Sequence, residues 1–311
     1  MPYNVLSLDG GGIRGIITVV LLQRLSEMPG LGGWLGDVNL VAGTSTGGLI
    51  ALGLAAGKPL DEIRGLYVDE GKNIFDDSWL DDLKDMGKLT GADYDIDNLK
   101  EVLKRVIGQT SLAALGKRVL VTAFDLDNED PDPAKRTWKP KIFHNFPGDD
   151  SDGDALAYKV GLYTAAAPTY FPTVDGYIDG GVYAPNPSMC ALAQTQDART
   201  GEAAPLAEVR LLSIGTGASL IYIEDDEKEH DWGYVQWAQP LTSLLFEGIN
   251  GIAHFQCSQI LGPRYHRLAP VFPPNVSIPM DGVDRMDYMI EFAMGVDLGP
   301  ASDWIANHWN R

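Results

Sequence analysis

The chain is poor in cysteine and in long apolar runs. Cys190 and Cys257 are the only cysteines among 311 residues, too few for a disulfide framework in a chain of this length. No stretch approaches the ~18 consecutive apolar residues of a membrane-spanning helix. A signal peptide is not expected, because no basic segment precedes the first apolar run and Asp9 interrupts that run. These absences predict a cytoplasmic protein.

Positive charge is also scarce. The chain has 24 Lys and Arg residues against 43 Asp and Glu residues, which gives a formal net charge of −19. This excess of negative charge repels nucleic-acid backbones, so we predict no nucleic-acid partner. The Cys and His residues are not spaced as in a zinc site, and the acidic stretches lack the glycine and glutamate positions of a calcium loop. We therefore predict neither a metal nor another cofactor.

The sequence contains an alternation of strand and helix patterns. A short apolar strand over 4–8 leads into glycines and a helix over 14–28, and a strand over 38–42 leads into glycines and a helix over 49–56. This order is typical of a parallel sheet with helices packed on it. We also predict strands at 118–124, 141–146 and 209–214, helices near 237–260 and 284–294, and surface insertions at 76–97 and 125–154.

A serine motif stands at the second junction of strand and helix. Gly43-Thr44-Ser45-Thr46-Gly47 matches the G-x-S-x-G pattern, in which a serine occupies a tight turn between a strand and a helix. Small neighbours let the backbone pass closely while the hydroxyl projects outward, and the helix N-terminus favours a developing alkoxide. The pentapeptide alone is a weak signal, but an apolar strand and an apolar helix flank it here. We therefore predict that Ser45 is a nucleophile.

A glycine run follows the first strand. Gly10-Gly11-Gly12-Ile13-Arg14-Gly15 satisfies G-x-G-x-x-G, a pattern of dinucleotide-binding loops. That interpretation is disfavoured because Asp9 would place a carboxylate beside a pyrophosphate, and because no acidic residue ends the second strand to hold a ribose. Free backbone N–H groups at a helix start suit an oxyanion equally well, and that role pairs with Ser45. A tight turn without a catalytic role is the third interpretation.

A serine nucleophile requires a base. Asp179 stands in Tyr177-Ile178-Asp179-Gly180-Gly181, where a short strand would hold the carboxylate beside open backbone, although a simple turn aspartate shows the same pattern. None of the five histidines lies in a motif that marks it as catalytic. Two arrangements stay open: a serine with an acid alone, or a triad of Ser45 and Asp179 completed by His266 or His308.

Taken together, these motifs resemble those of the patatin-like phospholipase family. The resemblance rests on the glycine run after Asp9, the pentapeptide around Ser45, the segment Asp179-Gly180-Gly181, and two further blocks at 165–172 and 213–217. All five occur in the family's order over residues 5–217. The resemblance implies a three-layer α/β/α fold with a mainly parallel central sheet.

The resemblance also implies an activity, that of a lipid acyl hydrolase with a Ser–Asp dyad and no histidine. Carried over to the matching positions, Ser45 is the nucleophile and Asp179 is the general base. The implied substrate is a phospholipid or another fatty-acyl ester, so phospholipase A, lysophospholipase and carboxylesterase activities all fit. A buried carboxylate with a raised pKa is expected, because an ordinary carboxylate is a weak base for a hydroxyl.

The glycine run takes its role from the same resemblance. The backbone N–H groups of Gly10, Gly11 and Gly12 are implied to form the oxyanion hole. Arg14 falls where the family often has Arg or Lys, and would hold a phosphate or the loop itself.

The rest of the sequence bears on organisation and on the choice of lipid. No linker or repeat divides the chain, so we predict one domain over 1–311, with a motif-bearing core at 5–217 and a mainly helical part at 218–311. The net charge predicts contact with neutral or zwitterionic rather than anionic membranes. Two alternatives stay open: a lipid-binding or storage protein with an idle dyad, and an α/β-hydrolase esterase with a histidine in a triad. The second is disfavoured because Ser45 follows only one strand–helix unit.

Overall fold

A central sheet organises the molecule in the computed structural model, which describes residues 2–74, 94, 96–223 and 232–309. The strands are β1 (Tyr3–Leu8), β2 (Leu40–Thr44), β3 (Arg118–Asp125), β4 (Lys139–His144), β5 (Tyr177–Asp179), β6 (Val209–Ile214) and β7 (Tyr265–Leu268). The helices are α1 (Gly15–Glu27), α2 (Thr46–Ala55), α3 (Leu60–Ile74), α4 (Ile96–Ile107), α5 (Ala157–Ala165), α6 (Ser188–Thr195), α7 (Tyr234–Leu261), α8 (Met286–Gly295) and α9 (Gly299–His308).

The sheet is mainly parallel, as predicted. Its order is β4-β3-β2-β1-β6-β7, and β5 pairs with β3 beside that path. Strands β3, β2, β1, β6 and β7 run parallel to one another, whereas β4 and β5 are antiparallel to β3. In a parallel sheet all carboxyl ends lie at one edge, so the residues that follow β1 and β2 meet there.

Helices cover both faces of the sheet, which confirms the three-layer α/β/α prediction. Successive side chains of a strand point to opposite faces. On β1, Val5 accordingly belongs to a core with residues of α6 and α7, whereas Leu6 and Leu8 belong to a core with residues of α1 to α5, α8 and α9. The helix predicted over 14–28 and the strands predicted over 118–124 and 209–214 are confirmed to within two residues.

The second strand lies two residues later than predicted. The prediction of 38–42 treated Gly43 as the start of a turn, but Gly43 is paired with Leu8 on one side and Val121 on the other. A side chain at Gly43 would overlap the Gly47 carbonyl group, so this glycine is present for the close approach of α2 rather than for a turn. The helix correspondingly begins at Thr46, three residues before its predicted start.

Other predictions need smaller corrections. The predicted insertion 125–154 contains the whole of β4, which pairs with β3 from Lys139 to His144 instead of over 141–146. The predicted insertion 76–97 lies outside the described residues, apart from positions 94, 96 and 97. The prediction of a helical C-terminal part missed β7, which extends the sheet beside β6.

That pairing bears on domain organisation. Because β7 and β6 hydrogen-bond in one sheet, a strand after residue 217 is joined to the motif-bearing core. The single domain over 1–311 stays a prediction, which this pairing supports. In the part of the chain that the structure describes, none of the helices is both long enough and apolar enough to cross a bilayer.

Candidate active site

Ser45 forms a one-residue elbow between β2 and α2. Its backbone has φ 53° and ψ −127°, a conformation that L-residues other than glycine rarely adopt and that costs about 1–3 kcal/mol. The surroundings hold it there: the Ser45 N–H donates to Thr164 Oγ1 at 2.8 Å, and its carbonyl accepts from the Leu49 N–H at 3.0 Å. Strain held in this way at a predicted nucleophile is typical of a functional site.

Sheet register brings Asp179 to Ser45. The last residue of β2, Thr44, is opposite Thr122 of β3, and the next residue of β3, Ala123, is opposite Asp179 of β5. Strand β5 therefore occupies the position beside β3 at the point where β2 ends and the elbow begins. The Thr44 hydroxyl stabilises this end of β2, since it lies 2.7 Å from Thr122 Oγ1 and donates to the Ala184 carbonyl at 2.6 Å.

The Asp179 carboxylate is buried and retains few partners. Its side chain is 5% exposed, and Oδ1 accepts from the Gly181 N–H at 2.7 Å. Burial raises the pKa of Asp179 to about 6, although hydrogen bonds from the Ser45 hydroxyl and the Gly181 N–H act in the opposite direction. A carboxylate with this pKa is ionised at neutral pH and is a stronger base than an exposed one.

The glycine run lies against Ser45, but its three N–H groups are not equivalent. A side chain added at Gly10 would lie 3.3 Å from Ser45 Cβ, so the run borders the nucleophile. The Gly10 N–H, however, donates to the Pro185 carbonyl at 2.9 Å, which corrects the prediction that it is free for an oxyanion. Among the described residues, the N–H groups of Gly11 and Gly12 have no acceptor.

Residues that are distant along the chain lie close to Gly11 and Gly12. A side chain at Gly11 would overlap Thr216, and one at Gly12 would overlap the Met280 carbonyl group. Gly12 also has φ +59°, which favours glycine. The Ile13 N–H donates to the Met280 carbonyl at 2.7 Å, so a segment far along the chain closes one side of the loop.

A buried ion pair stands behind the glycine run. Asp9 and Arg267 form a two-pronged salt bridge, with Nη1 of Arg267 2.8 Å from Oδ1 of Asp9. Arg267 also donates to Ser213 Oγ at 2.7 Å and to Asn250 Oδ1 at 3.1 Å. Removing one member of such a pair is costly, because the other charge is left buried. Sequence reasoning missed Arg267, since no motif surrounds it.

Arg14 is placed to hold the loop. Its Nε donates to the Gly11 carbonyl at 3.3 Å and its Nη1 to the Gly217 carbonyl at 3.4 Å. These bonds connect the glycine run to the segment that follows β6. Of its two predicted roles, the contacts favour holding the loop over holding a phosphate.

An apolar cavity opens behind Ser45. It has a volume of about 90 Å³, several times the ~10–15 Å³ that one water molecule requires. Starting from Ser45, the cavity follows α2 past Leu49 and Ile50 to Gly53, and α3, α4 and α5 supply most of the remaining wall. Its described lining is almost entirely apolar, so the cavity suits a hydrocarbon chain.

The histidines lie in other places. His266 and His308 both stack on Trp304, with ring centroids 5.7 and 5.2 Å away, and His254 Nδ1 lies 3.2 Å from the Tyr265 hydroxyl. The groups that set the pKa of Asp179 include Ser45 and Gly181 but no histidine. His230 lies outside the described residues. The described histidines therefore do not support the triad.

Metal binding finds no support in the described ranges, which are 2–74, 94, 96–223 and 232–309. They contain no group of three or more His, Cys, Asp or Glu side chains that could hold a metal ion. The absence of a metal from the reaction stays a prediction.

Comparison with known proteins places these features in a family. The model of the patatin-like phospholipase family matches residues 6–192. Similar proteins include a cGAMP-activated phospholipase of Pseudomonas aeruginosa, 30% identical over 91% of this chain and 83% of that protein. A cGAMP-activated phospholipase of Escherichia coli is 34% identical, and the match covers 68% of this chain and 62% of the Escherichia coli protein. Patatin-like protein 2 of Arabidopsis thaliana is 31% identical over 83% and 72% of the two chains.

Proposed function

The chain belongs to the patatin-like phospholipase family, a family of lipid acyl hydrolases, and from that premise we propose that Ser45 and Asp179 are its catalytic dyad. The observation that carries the proposal is the strained Ser45 elbow beside a buried carboxylate, at the mouth of an apolar cavity. The substrate is a phospholipid or another fatty-acyl ester, with its acyl chain in that cavity.

The mechanism proceeds through an acyl-enzyme. Asp179 takes the proton of the Ser45 hydroxyl as Oγ attacks the ester carbonyl, and the resulting oxyanion accepts hydrogen bonds from the N–H groups of Gly11 and Gly12. The tetrahedral intermediate collapses, the alcohol leaves with the proton, and Ser45 carries the acyl group. Water, activated by Asp179, then attacks the acyl-enzyme and releases the fatty acid. Gly10 contributes by fixing the loop through its bond to Pro185.

Covalent labelling tests the proposal directly. A fluorophosphonate reacts with an activated serine and mimics the tetrahedral intermediate, so we expect labelling of the wild-type protein, located at Ser45 by mass spectrometry. We expect Asp179→Asn to label much more slowly. Wild-type protein that is folded and takes no label would favour the lipid-binding or storage alternative, in which the dyad is idle.

Activity is expected to depend on pH through Asp179. Only the ionised carboxylate accepts the Ser45 proton, and burial raises its pKa to about 6. For a soluble ester, kcat/KM should therefore fall about tenfold for each pH unit below 6 and level off above about pH 7. Rates measured between pH 4.5 and 8.5, with folding checked by tryptophan fluorescence at each pH, test this. A half-maximal rate near pH 4 would show that Asp179 has an ordinary pKa.

The cavity sets a preference for acyl-chain length. From Ser45 to Gly53, α2 rises about 12 Å, the reach of roughly ten carbons in a staggered chain. A side chain at Gly53 would approach Ile63, since even a Cβ would lie 3.1 Å from its Cδ1. We expect Gly53→Leu to obstruct the far half of the cavity, and to slow hydrolysis of decanoate and longer esters at least about tenfold.

A series of p-nitrophenyl esters from butyrate to palmitate measures this preference. Butyrate hydrolysis should change no more than about twofold in Gly53→Leu, because a short chain does not reach that depth. Gly53→Ala is the matched control and should shift the profile less. An unchanged length profile in Gly53→Leu would exclude the cavity as the acyl site.

The net charge of −19 leads to an expectation about headgroups. We propose that the enzyme makes peripheral contact with neutral or zwitterionic membranes. At low salt, phosphatidylcholine vesicles should be hydrolysed faster than phosphatidylglycerol vesicles, and added salt should narrow the difference by screening. Faster hydrolysis of phosphatidylglycerol at low salt would contradict this. Cytoplasmic location and the absence of a nucleic-acid partner stay predictions from composition.

A further inference from the structure

Helix α7 has an unusual composition for a helix of an acidic protein. Charged residues make up 22% of the chain, so a segment of 28 residues would contain about six, yet Glu247 is the only one between Tyr234 and Leu261. A helix that is apolar on all sides is normally buried. This one lies partly at the surface.

The outward side of α7 is apolar as well as the inward side. Cys257 and Leu261 are buried in a core with residues of the sheet, and Ala253, one turn earlier on the same side of the helix, is also buried. With about 100° between successive residues, five large apolar residues lie within about 100° on the opposite side. These residues, which we name the α7 stripe, are between 46% and 57% exposed: Leu241, Leu244, Leu245, Ile252 and Phe255. An exposed, contiguous apolar surface of this kind marks a contact site.

The same helix reaches the proposed active site. Phe246 lies 3.6 Å from the position that a Cβ on Gly181 would occupy, and the Gly181 N–H donates to Asp179. Asn250 accepts from Arg267. Burial lowers the pKa of Arg14, and the nearby Glu247 carboxylate opposes that shift. Glu247 also favours the charged form of Arg267. Helix α7 therefore has one side on the catalytic machinery and the other in solvent.

A second exposed apolar segment begins near the glycine run. Leu220, Ile221 and Tyr222 are 60%, 67% and 80% exposed. They start three residues after Gly217, whose carbonyl accepts from Arg14, so Leu220 is at most about 11 Å along the chain from that contact. This segment therefore begins close to the glycine run, on the part of the chain that follows Gly217.

We propose that the α7 stripe, together with Leu220, Ile221 and Tyr222, is the surface on which this protein rests on a zwitterionic or neutral lipid layer. This inference rests on the proposed function, since a lipid ester has to reach Ser45 from such a layer. The charges support this partner: the stripe contains no charged side chain, and the net charge of −19 opposes anionic lipids.

Vesicle binding of surface variants tests the proposal. The double variant Leu245→Glu/Phe255→Glu adds two charges to the stripe at half-exposed positions. Its matched control, Val68→Glu/Leu206→Glu, adds the same charge at positions that are 45% and 39% exposed and lie on α3 and just before β6. All are prepared with Ser45→Ala, so that hydrolysis does not alter the vesicles. Flotation with phosphatidylcholine vesicles should show binding weakened at least about tenfold in the stripe variant and no more than about twofold in the control.

The stripe variant and its control are also prepared with Ser45 intact, so that a failure of this inference can be distinguished from a failure of the proposed function. Hydrolysis of a soluble butyrate ester should be unchanged in both pairs, whereas hydrolysis of vesicles should fall only in the stripe variant. Equal vesicle binding by the stripe variant and the control would overturn the inference. A dimer would also overturn the inference if light scattering shows that the wild type is dimeric, and that the stripe variant is monomeric but still binds vesicles. A second copy of the chain, not lipid, would then occupy the stripe. A wild type that binds vesicles through the stripe but cleaves no ester would instead contradict the proposed function alone.

Discussion

Replacing Ser45 by alanine is expected to reduce fatty-acid release from phosphatidylcholine by at least ~10⁴-fold, because nothing else at the elbow can form the acyl-enzyme. Ser45 projects from a backbone with φ 53° at the start of α2, where helix N–H groups favour the developing alkoxide. The assay compares wild type and Ser45→Ala under identical conditions with EDTA present, so that any release by the wild type is independent of a divalent metal.

Ser45→Gly provides the matched control for this experiment. It should be as inactive as Ser45→Ala, but more stable by about 1 kcal/mol, because glycine adopts a positive φ without strain. Urea denaturation measures that difference. Release that persists in both variants at more than about 1% of the wild-type rate would assign the reaction to another nucleophile.

Replacing Asp179 by asparagine should reduce the rate of ester hydrolysis about 10³- to 10⁴-fold, while making the protein more stable at neutral pH. The rate falls because an amide cannot accept the Ser45 proton. The stability rises because the pKa of Asp179 is about 6 in the folded protein and 3.8 as its ordinary value. The folded state therefore binds the proton more tightly than the unfolded state does. Burying the ionised carboxylate consequently destabilises the fold, to an extent that grows from about pH 4 and is complete above about pH 6.

Denaturation at two pH values tests the stability part of this prediction. A shift of about two units corresponds to roughly 3 kcal/mol, so Asp179→Asn should exceed wild type by about that amount at pH 8 and by little at pH 4. A variant that is inactive and also less stable at pH 8 would mean that Asp179 supports the structure through its bond to the Gly181 N–H. Measuring the rate and the free energy of unfolding on the same preparations separates these two roles.

Local patterns were the basis for the predictions about Ser45. The Ser45 elbow depends on a strand, a helix and small residues within five positions, so its geometry is encoded where it occurs. The alternation of strands, glycines and helices likewise predicted a parallel sheet, because each unit has to bury one apolar side against the next. Even here the length of β2 was misjudged, since the sequence does not reveal whether Gly43 serves a turn or the close approach of a helix.

The sequence by itself determined the fold class, and it supplied the motifs from which Ser45 is proposed as the nucleophile and Asp179 as its base. It could not determine which N–H groups of the glycine run are free, because the Gly10 N–H is taken by Pro185, which is distant along the chain. The sequence also could not show that Arg267 pairs with Asp9, or that apolar side chains of α7 face solvent. Only the tertiary structure decided these points, since they depend on sheet register and on contacts between distant segments. Asp179 lies beside Ser45 because β5 pairs with β3 directly after the end of β2, on the same side of β3. No local pattern specifies the pairing of β5 with β3.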